Sequence, residues 1–273
     1  MSSTTLMLDK LTPHCGAEVR GLDLSAPLDD ATVAALEQAL AAHGVLFFRG
    51  QTLTPEQHKA FGRRFGPLHV HPAWPNILEG HPEVMVIHAD ENSKRIAGED
   101  WHSDVSCDEE PPLGTILHIH EVPPVGGDTL FASMYAAYEA LSAPLRAMLD
   151  NMTAIHDGEH RYRGYGRGDD AGVVYPHAEH PVVRTHPVSR RKGLYVNRFF
   201  TTRIVQLSQH ESDGLLAMLF RHIETPEFHC RFHWQAGSIA FWDNRCVQHH
   251  ALWDYFPHRR HGLRVTIKGD KPF

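Results

Sequence analysis

Ser238-Ile239-Ala240-Phe241-Trp242-Asp243-Asn244-Arg245-Cys246-Val247-Gln248-His249-His250 joins a strand-length apolar run to a polar turn and a pair of histidines. A little further on, Arg260-His261-Gly262-Leu263-Arg264-Val265-Thr266-Ile267 alternates in character. In an extended chain that alternation puts Arg260, Gly262, Arg264 and Thr266 on one face and leaves Leu263, Val265 and Ile267 to make the other face apolar. Short segments of this kind recur between Gly/Pro punctuation, with strands expected over 83–88, 114–121, 182–185, 194–196, 228–232, 238–242 and 263–268. Helices are expected over 31–43, capped by Asp29 or Asp30 and stopped by Gly44, and from Thr54 to Phe65, with further ones over 134–141, 144–152 and 208–223. Between them, 45–49 reads as a buried strand. The pattern predicts a mainly β fold, a sandwich or jelly roll with helices packed outside it. It lacks the regular strand-helix alternation of a doubly wound sheet.

The chain has 273 residues, enough for one large core, and no internal linker argues for two domains. Its formal net charge of −7 argues against a nucleic-acid partner, which would call for a basic stripe. No run is long and apolar enough for a membrane span, and 1–19 carries no secretory pattern. Cys15, Cys107, Cys230 and Cys246 are far apart and form no C-x-x-C pair, which points to reduced thiols and a cytoplasmic location. The stretch 162–180, rich in Gly, Arg, Asp and His, reads as a mobile loop near a site.

The chemistry is suggested by His102-Ser103-Asp104. If His102 and Asp104 lie on or just after an extended segment, both side chains reach one side and Ser103 points away. Two imidazoles and a carboxylate on one face of an octahedral ion leave three positions open, an arrangement suited to Fe(II) and dioxygen. The third ligand would come from His249 or His250, which cannot both face inward. Histidine makes up 23 of the 273 residues, so the tripeptide alone is also compatible with a simple turn. Arg260 and Arg264, about 13 Å apart along an extended strand, could hold two different anions, because the guanidinium fork fits carboxylate or sulfonate oxygens.

The chain resembles the taurine dioxygenase family of Fe(II)- and 2-oxoglutarate-dependent oxygenases along nearly all its length. The resemblance is carried by Phe65-Gly66-Pro67-Leu68-His69-Val70-His71-Pro72, Trp101-His102-Ser103-Asp104-Val105, Gly126-Gly127-Asp128-Thr129-Leu130, Tyr138-Glu139-Ala140-Leu141-Ser142 and His180-Pro181-Val182-Val183-Arg184-Thr185-His186-Pro187. It continues in Phe200-Thr201-Thr202-Arg203-Ile204-Val205, Trp242-Asp243-Asn244-Arg245, Gln248-His249 and Gly269-Asp270-Lys271-Pro272-Phe273. It implies a double-stranded β-helix (jelly roll, cupin-like) with residues 1–273 as one dioxygenase domain. It further implies Fe(II) on His102, Asp104 and His249, with dioxygen and the cosubstrate 2-oxoglutarate bound there, the latter's distal carboxylate held by Thr129 and Arg260. A small anionic substrate would be held by Arg264, His71 and the backbone N–H of Val105, with Trp74, Tyr162 and Phe200 around its carbon chain. By analogy a homo-oligomer, dimer or tetramer, is expected.

The pattern departs from the family's taurine enzymes at Gly98, where they have an asparagine, and at Cys107 and Phe199, where they have phenylalanine and glycine. The resemblance implies hydroxylation of a sulfonate, such as taurine or a related alkyl sulfonate, with succinate, carbon dioxide and sulfite as products; these changes count against taurine itself, and a sulfate ester or an aryloxyalkanoate is the alternative substrate. Asp108, Glu109 and Glu110 are the nearby acids that could meet a cationic group instead. A zinc hydrolase using the same ligands is the reading from a different class; it would leave Thr129 and Arg260 without a purpose.

Overall fold

The computed structural model describes residues 6–71, 76–163 and 174–273. Asp29, not Asp30, caps the first helix, Asp30–His43, its side chain accepting from the Thr32 N–H at 2.7 Å. Gly44, at φ 75°, ends that helix in a conformation that costs glycine little and turns the chain straight into the buried strand Val45–Phe48. Thr54 caps the helix Pro55–Arg63 in a reciprocal pair with Gln57. Leu36 and Leu40 from the first helix and Phe61 from the second pack with Ile116, Leu263, Val265 and Ile267. The apolar face read from the alternation at 263–267 is therefore the face that the helices cover.

Among the described residues the principal sheet has nine strands. Its order runs Met7–Lys10, Ala17–Arg20, Val45–Phe48, Ser238–Asp243, Gly114–Glu121, Arg260–Ile267, His81–Ala89 and Ile77–Leu78, and Leu68–His69 also pairs with Arg260–Ile267. A smaller sheet orders His229–Phe232, Thr129–Ser133 and Val247–Ala251. Phe47, Phe131, Phe232 and Trp242 fill the space between the two, with the Phe47 and Phe232 rings stacked at 3.9 Å. This is the jelly roll expected from the sequence. A further sheet of His177–Pro181, Thr153–Asp157 and Thr201–Ile204 carries the helix Gln209–Ile223, whose Leu216, Leu219 and Ile223 enter another apolar cluster.

Several elements differ from expectation. The strand expected over 194–196 lies at Lys192–Leu194, where it pairs with Val183–Thr185, and the one expected over 263–268 starts earlier, at Arg260. The second helix stops at Arg63 rather than reaching Phe65. Thr129–Ser133 and Val247–Ala251 were not expected as strands. Gln248-His249-His250 has weak β character, and it is the pairing of His249 with Phe131 and of Gln248 with Ala132 that makes it one. The expected loop 162–180 begins at the end of a short helix, Glu159–Tyr162, and finishes in the strand His177–Pro181; 164–173 lie outside the described residues.

Gly262 sits where the register between Arg260–Ile267 and Gly114–Glu121 shifts. A Cβ there would come within 2.5 Å of the His118 carbonyl oxygen and 2.7 Å of Ile119 Cδ1, so backbone would have to move. Gly262→Ala is expected to lower stability by about 1–3 kcal/mol, the usual cost of overpacking, seen as a lower urea midpoint with an unchanged m-value.

Candidate metal centre

His102 and His249 meet across an isolated antiparallel bridge, in which the His102 N–H donates to His249 O at 3.1 Å and the His249 N–H donates to His102 O at 2.9 Å. Their ring centroids are 4.1 Å apart. Asp104 follows just beyond, in a turn where Val105 takes a positive φ of 48°. Its Oδ1 lies 3.5 Å from His102 Nε2 and 3.7 Å from His249 Nε2, and the three donor atoms lie within 4.8 Å of one another. Ser103 points away as expected and donates to Val247 O. His250 also turns away, its ring against Trp101 at 5.6 Å.

The donors are prepared for a metal. His102 Nδ1 lies 2.8 Å from Asp100 O and donates to it, which puts the Nε2 lone pair on the Asp104 side. His249 is packed against Trp242 and Phe131, and burial keeps its ring in the neutral form that can ligate. Asp104 is 3% exposed, and burial by itself would raise its pKa. The Arg264 guanidinium foremost outweighs burial and holds it well below the usual carboxylate range. Thr115 Oγ1 and Trp242 Nε1 donate to Oδ2 at 2.8 and 3.1 Å, and Asn244 Oδ1 accepts from the Asp104 N–H at 3.2 Å. This leaves Oδ1 turned toward the imidazoles. Thr115 and Asn244 had no assigned role in the sequence; only the Trp242-Asp243-Asn244-Arg245 block hinted at the second. Nitrogen and carboxylate donors in this arrangement fit Fe(II).

Two compartments flank the triad. One is lined by Thr129, Trp234 and Arg260 beside His249 and His102. Arg260 is 5% exposed, and its Nε and Nη2 are buried with no partner among the described residues. A guanidinium left that way is costly to bury unless an anion joins it. Thr129 Oγ1 accepts from Trp234 Nε1 at 3.0 Å, which leaves its own O–H to donate. A dicarboxylate with one end on Arg260 and Thr129 suits this compartment.

The other compartment is lined by His71, Val105, Tyr162, Phe200 and Arg264, together with Ala97, Gly98 and Phe199. Arg264 Nη2 is 2.8 Å from Asp104 Oδ1. Burial, then Arg264, depress the His71 pKa to about 3, so His71 is a neutral hydrogen-bonding group. Tyr162 lies 5.8 Å from both His71 and Phe200, ring centroid to ring centroid, and its hydroxyl is 3.9 Å from Cys107 Sγ. Phe199 covers His102 at 5.1 Å. Arg161, which the sequence did not single out, also lines this space; it stacks on Phe199 at 4.2 Å and donates to the Phe199 carbonyl at 2.9 Å. Asp108 faces His69 and Glu109 pairs with exposed Lys271, and neither of them nor Glu110 lines the compartment. Trp74 lies outside the described residues.

His186, Asp243 and Cys246 form another buried cluster, but its lone pairs are committed. His186 Nδ1 accepts from the Val188 and Ser189 N–H groups, so Nε2 donates to Asp243, whose carboxylate also takes the Arg245 fork. That cluster is structural.

The family model for taurine catabolism dioxygenase TauD, TfdA family, matches residues 8–266. An alpha-ketoglutarate-dependent sulfate ester dioxygenase of Pseudomonas putida is 37% identical, over 94% of this chain and 87% of its own length. The crystal structure of a taurine dioxygenase from Burkholderia xenovorans is 39% identical with a TM-score of 0.86, covering 98% of this chain and 91% of that one. The structure of AAD-2 in complex with Mn(II) and N-oxalylglycine has a TM-score of 0.88 at 28% identity, covering 98% and 99%. The chain therefore belongs to the TauD/TfdA family and is a 2-oxoglutarate-dependent dioxygenase that works with Fe(II) and dioxygen.

Proposed function

We propose that this dioxygenase hydroxylates a small organic anion with an apolar carbon chain, an alkyl sulfonate or a sulfate ester, at the carbon bearing the anionic group. His102, Asp104 and His249 hold Fe(II), Thr129 and Arg260 hold the distal carboxylate of 2-oxoglutarate, and Arg264, His71 and the Val105 N–H hold the substrate anion. With 2-oxoglutarate and dioxygen, the metal supplies the oxidation that turns C–H into C–OH, giving succinate and carbon dioxide. The hydroxylated carbon then loses its substituent, as sulfite from a sulfonate or sulfate from a sulfate ester, and leaves a carbonyl compound.

The observation that carries this reading is the buried Arg264 guanidinium, 2.8 Å from Asp104 Oδ1, at the end of a compartment whose other walls are mostly apolar. Asp104 is the sole carboxylate among the described residues lining it. An anion placed on Arg264 is thereby held beside the metal ligands, where fixing one C–H bond contributes most to the rate. Met85, Phe199, Phe200 and Tyr162 surround the carbon chain and exclude water. A zwitterion such as taurine is poorly served, because the wall at Ala97 and Gly98 offers no side-chain acceptor and the neighbouring charge, Arg161, is positive. The names of the relatives agree with sulfonate or sulfate ester chemistry.

Succinate formation from 2-oxoglutarate in air tests the reading directly. Straight-chain alkyl sulfonates and alkyl sulfates are expected to stimulate it more than taurine does; stimulation by taurine alone would overturn the substrate assignment. Arg264→Met is expected to raise KM for the anion roughly ten- to hundredfold, the loss of one or two charge-assisted hydrogen bonds, with little change in KM for 2-oxoglutarate. If Arg264 were only a counter-ion for Asp104, metal affinity would change and the substrate KM would not. Arg260→Met is expected to show the converse, a KM for 2-oxoglutarate raised by a similar factor. Thr115→Val removes the 2.8 Å hydrogen bond to Asp104 Oδ2 and should weaken metal binding by about 10- to 100-fold, read by competition with a chelator.

A further inference from the structure

On the far side of the principal sheet from the triad, the alternation that turns Arg260 and Arg264 inward turns His261 outward. His261 stands directly opposite His88 in the antiparallel pairing of Arg260–Ile267 with His81–Ala89. His120 reaches the same face from the strand on the other side. The ring centroids of His261 lie 5.5 Å from His88 and 6.2 Å from His120. Asp90 Oδ2 is 3.4 Å from His88 Nε2.

These separations have a meaning for metal binding. With a metal–nitrogen bond of about 2.0 Å, two imidazoles sharing one ion have ring centroids roughly 5 Å apart at a tetrahedral angle and about 6 Å apart when opposed. Both observed separations fall near or between those values. We propose that His88, His120 and His261, with the Asp90 carboxylate, form a divalent transition-metal site of the Zn(II) type on the outer face of the sheet, separate from the catalytic centre.

Two further features agree with this. His261 Nδ1 is buried with no hydrogen-bond partner among the described residues, a polar atom that an ion would satisfy. Burial first, then His88 for His261 and His261 for His120, hold these two rings below the ordinary histidine pKa, so ligation requires no loss of a proton near neutral pH. His88, already beside Asp90, and His120 are exposed, whereas His261 is half-buried and serves as the fixed anchor. The next ring in the row, His118, is not part of the set, because its Nε2 is engaged with Gln51 O at 3.1 Å. Glu121 is paired with Arg259 at the rim, which leaves Asp90 as the acid beside the rings. Imidazole with a single carboxylate favours zinc, copper or nickel over calcium or magnesium.

The test counts zinc in protein stripped by chelator, loaded with Zn(II) alone and desalted. A variant carrying His102→Ala and His249→Ala should retain one equivalent, and adding His88→Gln and His261→Gln should remove it. Circular dichroism checks that each variant is folded. Independently of any variant, Zn(II) added to the full wild-type chain should shift the imidazole NMR resonances of His88, His120 and His261. The proposal is overturned if the His102→Ala, His249→Ala variant retains no zinc, if the added substitutions leave its zinc in place, or if those three resonances do not move.

Discussion

A carboxylate that must remain ionised between two sheets constrains the rest of this structure. Asp104 is almost without solvent, and a buried charge is tolerated only when it is paired and hydrogen-bonded. Each partner comes from a different part of the chain: Thr115 and Trp242 from adjacent strands of the principal sheet, Arg264 from the strand beside them, and His249 from the smaller sheet. Asn244 fixes the backbone by accepting from the Asp104 N–H. The His102–His249 bridge then ties the segment carrying Asp104 to the smaller sheet. A metal bound there is held by both sheets at once, so the jelly roll serves as the clamp for the ion.

The strand Arg260–Ile267 shows how an acidic chain can carry buried cations. The net charge of −7 says nothing about the interior, where two guanidiniums face inward four positions apart on the same side of one strand. Arg260 lines the Thr129 compartment alone, whereas Arg264 lines both. Arg264 rests on Asp104, while Arg260 keeps buried N–H groups unpaired against the face of Trp234 at 5.4 Å. The difference is chemical: Arg264 has a resident partner that a metal would share, and Arg260 has buried N–H groups without one among the described residues. Gly262 between them has no room for a side chain, which lets the His118 carbonyl approach and holds the two arginines in register.

The compartment on the Arg264 side is shaped by a glycine on one wall and an aromatic ring on another. At Gly98, a Cβ would meet His102 Cε1 at 3.0 Å, and the residue takes a positive φ of 78°. A polar side chain for an ammonium group is therefore absent on that wall, and Phe199 brings an aromatic ring over the metal ligand instead. Of the acids plausible on proximity in sequence, Asp108 faces His69 and Glu109 pairs with Lys271, and none of 108–110 lines the compartment. Distance along the chain was a poor guide to them because the turn after Asp104 carries them away from the triad.

By itself, the sequence determined a mainly β fold of the sandwich or jelly-roll kind, the helices starting at Asp29 or Asp30 and at Thr54, the inward and outward faces of 260–267, and the types of donor in the metal set, because these follow from local periodicity and side-chain chemistry. It resolved His249 from His250 only through resemblance. Tertiary structure decided what depends on pairing between distant segments. Val247–Ala251 is a strand because Thr129–Ser133 lies beside it, Thr115 and Asn244 matter because they meet Asp104 across the sheet, and Arg161 reaches the compartment from a short helix that no periodicity announced. A hydrogen bond such as that of Asp104 with Asn244, 140 positions away, leaves no mark in local composition, and the burial that gives Asp104, Arg260 and Arg264 their charge chemistry exists only once the sheets have closed.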